Sequence, residues 1–151
     1  MIKFFFLFFS LFVSTFSFSQ VVYPYQEIKL QTPADYKDAI PMAKSAATFI
    51  LTTPFSATDK NRKEAVKFLS SWMAGNKEYI FQSLPTLQDI AEDQDLSGLF
   101  IAAMSKFAFE NKALTENVKM MDDSARKTVL EYCDNPANNF KLKKKYRKWL
   151  Q

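Results

Sequence analysis

The sequence predicts an all-α protein, an irregular or orthogonal bundle of about four to six helices behind an extended N-terminal arm. Three observations carry this. Beyond residue 40, apolar residues return at intervals of three and four, the repeat of a helix with one buried face. Only two of the 151 residues are glycine, too few for the tight hairpin turns of a compact β protein. Prolines 33, 41, 54 and 136 fall where those apolar stripes begin or stop, as proline does at helix ends.

The first element is not part of the bundle. MIKFFFLFFSLFVSTFSFSQ sets one cation, Lys3, ahead of an uncharged Phe/Leu run and finishes in small residues at Ser17 and Ser19. This is the layout of a secretory signal peptide over residues 1–19, cut between Ser19 and Gln20. The alternative is an uncleaved anchor, which the serines at 10, 14, 17 and 19 weaken. Residues 20–151 then form one helical domain, long enough to bury a core without cross-links. A lone cysteine, Cys133, excludes an internal disulfide.

Residues 21–31 (VVYPYQEIKLQ) alternate weakly around Pro24 and read as an extended arm or edge strand. Thr32-Pro33 caps and opens a helix that Ile40-Pro41 bends or restarts. Met42, Ala46, Phe49 and Ile50 then form one stripe, ended by Thr53-Pro54. The clearest helix follows, with Thr58 as N-cap and Ala65, Phe68, Leu69, Trp72 and Met73 inward. Lys60, Arg62, Lys63, Lys67 and Ser70 make its solvated face, and Gly75 stands where a left-handed C-terminal residue is wanted. Tyr79, Ile80 and Phe81 suit either a short strand or a buried helical turn. Leu87, Ile90 and Ala91 mark a short helix. A longer one points Leu99, Ala103, Phe107 and Ala108 inward and ends near Asn111. Thr115 caps the next, striped by Val118, Met121, Ala125, Val129, Tyr132 and Cys133 and stopped by Asn135-Pro136. A last helix from about Asn138 carries Leu142, Tyr146, Trp149 and Leu150 on one side and lysines on the other.

Charge is uneven. Without Lys3 the chain holds 19 basic and 16 acidic residues, a net of +3; the six cations between Lys141 and Lys148 supply +6, which leaves residues 20–140 at −3. An acidic body lacks the spread of cations that nucleic acid requires, so no nucleic-acid partner is expected.

Chemistry is bounded by what is missing. With no histidine, the usual general base and the commonest transition-metal ligand are gone. Cys133 lies on an apolar stripe, which predicts a buried, inert thiol. Asp89, Glu92, Asp93, Asp122 and Asp123 offer carboxylates, but nothing in the pattern holds two of them across a cleft. Asp93, Asp95, Ser97 and Gly98 match positions 1, 3, 5 and 6 of a calcium loop, yet its closing position is Met104. The competing expectation is that Asp95 or Ser97 caps the following helix, with Glu92 and Asp93 near its positive end. No catalytic residue, metal or cofactor is therefore assigned.

The segment FKLKKKYRKWLQ supports two readings. In one, an amphipathic helix lies on anionic lipid or another polyanion, with Lys141, Lys144, Lys145, Arg147, Lys148 and Trp149 as its contacts. In the other, the apolar stripe docks on the bundle and the lysines stay in water, which is the favoured expectation.

The leader ending in SFSQ, the helix FLSSWMAGNKEYIF, the segment LFIAAMSKFAFEN and the stretch YCDNPANNFKLKKKYRKWL together resemble small secreted helical proteins of uncharacterised function from Bacteroidota-type bacteria. The resemblance implies no catalytic or binding residue. The expectation is a secreted or periplasmic, non-enzymatic protein that binds a protein partner, of inhibitor, immunity or accessory type; the alternative is a peripheral binder of membrane or polyanion.

Overall fold

The computed structural model describes residues 24–150, with side chains through residue 148. The expected leader, its cut after Ser19, residues 21–23 of the arm and the side chains of Trp149 and Leu150 lie outside the described residues. Among those described, every regular element is helical, and six of them are α-helices.

The arm is neither a strand nor fully extended. It makes a single tight turn at Tyr25–Glu27, closed by the Glu27 amide on the Pro24 carbonyl at 3.0 Å, and then runs extended to residue 31. Tyr25 is buried there, its ring stacked 5.4 Å from that of Phe68. Thr32 then opens α1 (Pro33–Asp38) through a capping box, in which the Asp35 carboxylate accepts from the Thr32 amide at 2.8 Å and from that of Gln31 at 2.9 Å. The chain restarts at Ala39 as α2 (Ile40–Thr52). Its buried stripe is Ala43, Ala46, Ala47 and Ile50, with Met42 and Phe49 only half-buried beside it. Alanines face the centre because they let a neighbouring helix come close, and the bulkier pair fills the flanks.

Asp59, not Thr58, caps α3 (Lys60–Gly75), since its carboxylate accepts from both the Asn61 and Arg62 amides, at 2.9 and 3.2 Å. Ala65, Phe68, Leu69 and Trp72 are buried as the stripe predicts. Gly75 keeps helical geometry, and the helix ends on extended Asn76. Its lack of a side chain serves packing: a Cβ there would collide with the outer end of the Tyr36 ring. Residues 79–81 form neither strand nor helix. Tyr79 and Phe81 lean on Trp72 with ring centroids 5.9 Å away, and Ile80 between them points to solvent. Aromatic contact holds this loop where backbone pairing does not.

After α4 (Pro85–Asp89) comes α5 (Gln94–Glu110), capped by Asp93 through the Leu96 amide at 3.2 Å rather than by Asp95 or Ser97. α5 is buried almost all round, from Leu96 through Phe100 and Met104 to Ala108, because α2 and α3 cover one side and α6 (Val118–Asp134) the other. Asn117 caps α6 on the Met120 amide at 3.0 Å, whereas the Thr115 hydroxyl donates to the Lys112 carbonyl. α4 is pinned to α6 by Thr86, whose hydroxyl donates to Asp122 at 2.8 Å.

The expected last α-helix is absent. A short turn at Pro136–Asn138 leads to Asn139 in left-handed geometry (φ 54°), then extended chain, then a tight three-residue-per-turn helix over Lys144–Leu150.

Candidate functional site

Two features stand close together: the basic C-terminal segment, and a cleft between α3 and α5. The segment runs from Phe55, in the lining of that cleft, to Glu92 and Asp93 just ahead of α5. At its start the Phe55 amide donates to the Asn138 carbonyl at 2.7 Å, and the Phe140 ring meets the Phe55 ring edge-on at 4.8 Å. Farther along, Lys143 Nζ reaches the Asp93 carboxylate at 2.7 Å, and Lys145 Nζ approaches Glu92 at 3.9 Å. Bonding to Asp93 holds the Lys143 ammonium above its usual range. Leu142 and Tyr146 are buried against the body. The docking expectation thus holds for the described side chains, in a different helical form.

Of the candidate anionic-surface contacts, Lys141, Lys144, Lys145, Arg147 and Lys148 are all exposed. With three residues per turn, Lys144 and Arg147 line one edge and Lys145 and Lys148 a second, while Tyr146 occupies the third, inward edge. Among the described residues, Lys141, Lys144, Arg147 and Lys148 form no ion pair with a carboxylate. The side chain of Trp149 lies outside the described residues.

Of the predicted oxygen ligands, Asp93 is committed to the Leu96 amide and to Lys143, and the Ser97 hydroxyl donates to the Ile90 carbonyl at 2.9 Å. The half-loop therefore acts as a helix start. Among the described residues no group of three acids or cysteines comes together to hold a metal. Cys133 is half-buried, and burial first, with the neighbouring Asp134 charge second, pushes its thiol up to about 12. Such a thiol is not a nucleophile at neutral pH.

Arg62 overturns the sequence reading of its helix face. Expected in solvent, it is 6% exposed. Its guanidinium donates to the Ile50 carbonyl at 2.8 Å and to the Thr53 carbonyl and hydroxyl at 3.4 Å. It also lies 5.5 Å from the ring centroids of both Phe55 and Tyr132. The Tyr132 hydroxyl donates to the same Thr53 carbonyl at 2.6 Å, and burial pushes that phenol upward. The carbonyls at the C-terminal end of α2 supply the partial negative charge that makes a buried cation tolerable there. The sequence signal was Arg62 standing three positions before Ala65, on the edge of the apolar stripe.

The cleft encloses about 480 Å³ and is lined by Phe55, Arg62 and Val66 on one side and by Asp95, Ser97 and Ile101 on the other. Comparison with protein-family models, curated proteins and solved structures finds no match for this chain.

Proposed function

We propose that this chain is an exported, non-enzymatic interaction protein whose basic segment meets an acidic surface on a partner protein. The observation that carries the reading is the division of that segment. Its apolar residues Leu142 and Tyr146 are spent on the body, whereas Lys141, Lys144, Arg147 and Lys148 face water without carboxylate partners among the described residues. A helix lying in a bilayer surface must free its apolar face for the lipid, and Tyr146, on that face, is instead buried against the body. An outward cationic ridge on a mildly acidic body instead suits electrostatic docking, which sets association rate and orientation more than raw affinity. The leader supports export, and the absence of histidine from the sequence supports a role outside acid–base catalysis.

The test is affinity capture from a cell-envelope fraction with wild-type bait and with a variant in which Lys141, Lys144, Lys145, Arg147 and Lys148 are all replaced by Gln. Retention of an acidic protein by the wild type alone, lost on raising salt, supports the reading. Equal capture by both baits refutes the role of the basic segment, and salt-sensitive binding to phosphatidylglycerol vesicles with no protein retained refutes the reading in favour of the membrane alternative.

A further inference from the structure

We propose that the cleft between α3 and α5 binds a small amphipathic carboxylate, one anionic head on an aliphatic or aromatic body. Its volume of about 480 Å³ falls in the range of roughly 300–1,000 Å³ typical of small-molecule sites. The apolar part of the wall comes from Phe55, Val66 and Ile101. Phe55 is held in place by the edge of Phe140, which lies outside the lining, and by the Arg62 guanidinium within it, so this wall is formed before any ligand arrives. Gly98 brings α5 unusually near α3: a Cβ on it would lie 2.9 Å from Cγ2 of Val66. The two helices therefore touch at the cleft and fix its width.

Charge decides the ligand. α3 contributes Arg62, Lys63 and Lys67 to the lining, and α5 contributes only Asp95 against them. Lys63 and Lys67 are exposed, stand one helical turn apart, and form no ion pair with a carboxylate among the described residues. Like charges at that spacing repel. Arg62, buried beside them and held by carbonyl and hydroxyl oxygens rather than by a carboxylate, adds to the same positive field. A carboxylate between the two ammonium groups relieves that repulsion, and Asp95 on the facing wall steers the anionic head towards α3. The apolar body then lies along Val66 and Ile101.

The purified protein is titrated with decanoate, decanol and decyltrimethylammonium, with backbone amide shifts as the readout. The expected result is saturable decanoate binding, with shifts centred on Val66, Gly98 and Ile101, weaker decanol binding, and no saturation by the cation. Lys63→Gln combined with Lys67→Gln is expected to weaken decanoate binding roughly tenfold or more, the loss of charge-assisted contacts. The same pair, both exposed, leaves the melting temperature unchanged. Lys141→Gln with Lys144→Gln keeps wild-type affinity, which separates this site from the basic segment. An acetylated dipeptide acid run in parallel distinguishes a peptide C-terminus from a free acid as the source, and tighter binding of either supports the carboxylate site. Absence of saturable decanoate binding, cation binding as tight as decanoate, or wild-type affinity in the Lys63/Lys67 variant overturns the proposal.

Discussion

Replacing Arg62 by Ala is expected to destabilise the protein by about 3 kcal/mol. The dominant contact is the 2.8 Å bond to the Ile50 carbonyl, buried and charge-assisted, for which truncation costs about 1.5–3 kcal/mol. The two contacts to Thr53 at 3.4 Å are at the long limit of a hydrogen bond and add little. Each ring at 5.5 Å adds about 0.5 kcal/mol, near the outer reach of a cation–π contact. Opposing these, the variant no longer strips water from a charge, which returns part of the loss. At about 2–4 °C per kcal/mol for a chain of this size, the melting temperature falls by about 6–12 °C. Urea and thermal unfolding followed by circular dichroism measure both quantities. Arg62→Met, which fills the volume without a charge, is expected to recover part of the loss, and Arg62→Lys, which lacks the planar fork, less of it. An Arg62→Ala variant within about 0.5 kcal/mol of wild type, the range of ordinary surface changes, refutes the buried-lock reasoning.

Gly75→Ala, which in an open helix gains about 0.5–1 kcal/mol, is expected here to lose that gain and to cost up to about 1 kcal/mol, because the methyl displaces the outer end of the Tyr36 ring. Urea unfolding of the double variant with Tyr36→Ala should show most of that added cost gone. Cys133, with its thiol pushed up to about 12, should react with a disulfide reagent at about pH 8 roughly thirtyfold more slowly in the folded protein than in urea, the fall in thiolate fraction being partly offset by the greater nucleophilicity of a high-pKa thiolate. Two groups give opposite pH signatures. The Gln31 and Thr32 amides hold Asp35 below the usual carboxylate range, so its capping contribution is present above about pH 4 and lost as pH falls through the depressed value. Side-chain NMR titration of Asp35 reads this directly. Lys143 is raised by Asp93, so the melting-temperature gap between wild type and Lys143→Gln should persist up to about pH 10 and close as pH rises through the raised value. Calcium should leave the melting temperature unchanged, because Asp93 is already engaged by Lys143 and the Leu96 amide.

Helix existence was legible because burial imposes its repeat on sequence: Ala65, Phe68, Leu69 and Trp72, and likewise Met121, Ala125, Val129 and Tyr132, are buried where the spacing puts them. Helix starts were less so. Around each one several polar side chains compete for the same amides, and Asp59, Asp93 and Asn117 win over Thr58, Asp95 or Ser97, and Thr115 through backbone geometry that only the folded chain defines. Arg62 was misread because a long side chain on a stripe edge turns inward only when another helix offers carbonyls, and those belong to residues 50 and 53. The basic segment was read correctly in what it buries at Leu142 and Tyr146, but not in its helical form, because the chain entering it is fixed by the left-handed turn at Asn139 and by the distant Phe55 that meets Phe140. The cleft had no sequence signal, since its walls come from residues 55–67 and 91–101 and its width from one glycine.

Trp72 has a practical consequence. It is one of only two tryptophans; its indole is fully enclosed, donates to the Tyr36 carbonyl at 2.8 Å, and has Tyr79, Phe81 and Phe109 around it. The molecule therefore carries its own optical probe, with blue-shifted native emission that moves red as the interior floods. With Trp149→Phe removing the second fluorophore, a single emission band reports the integrity of the interior in real time, without any attached label.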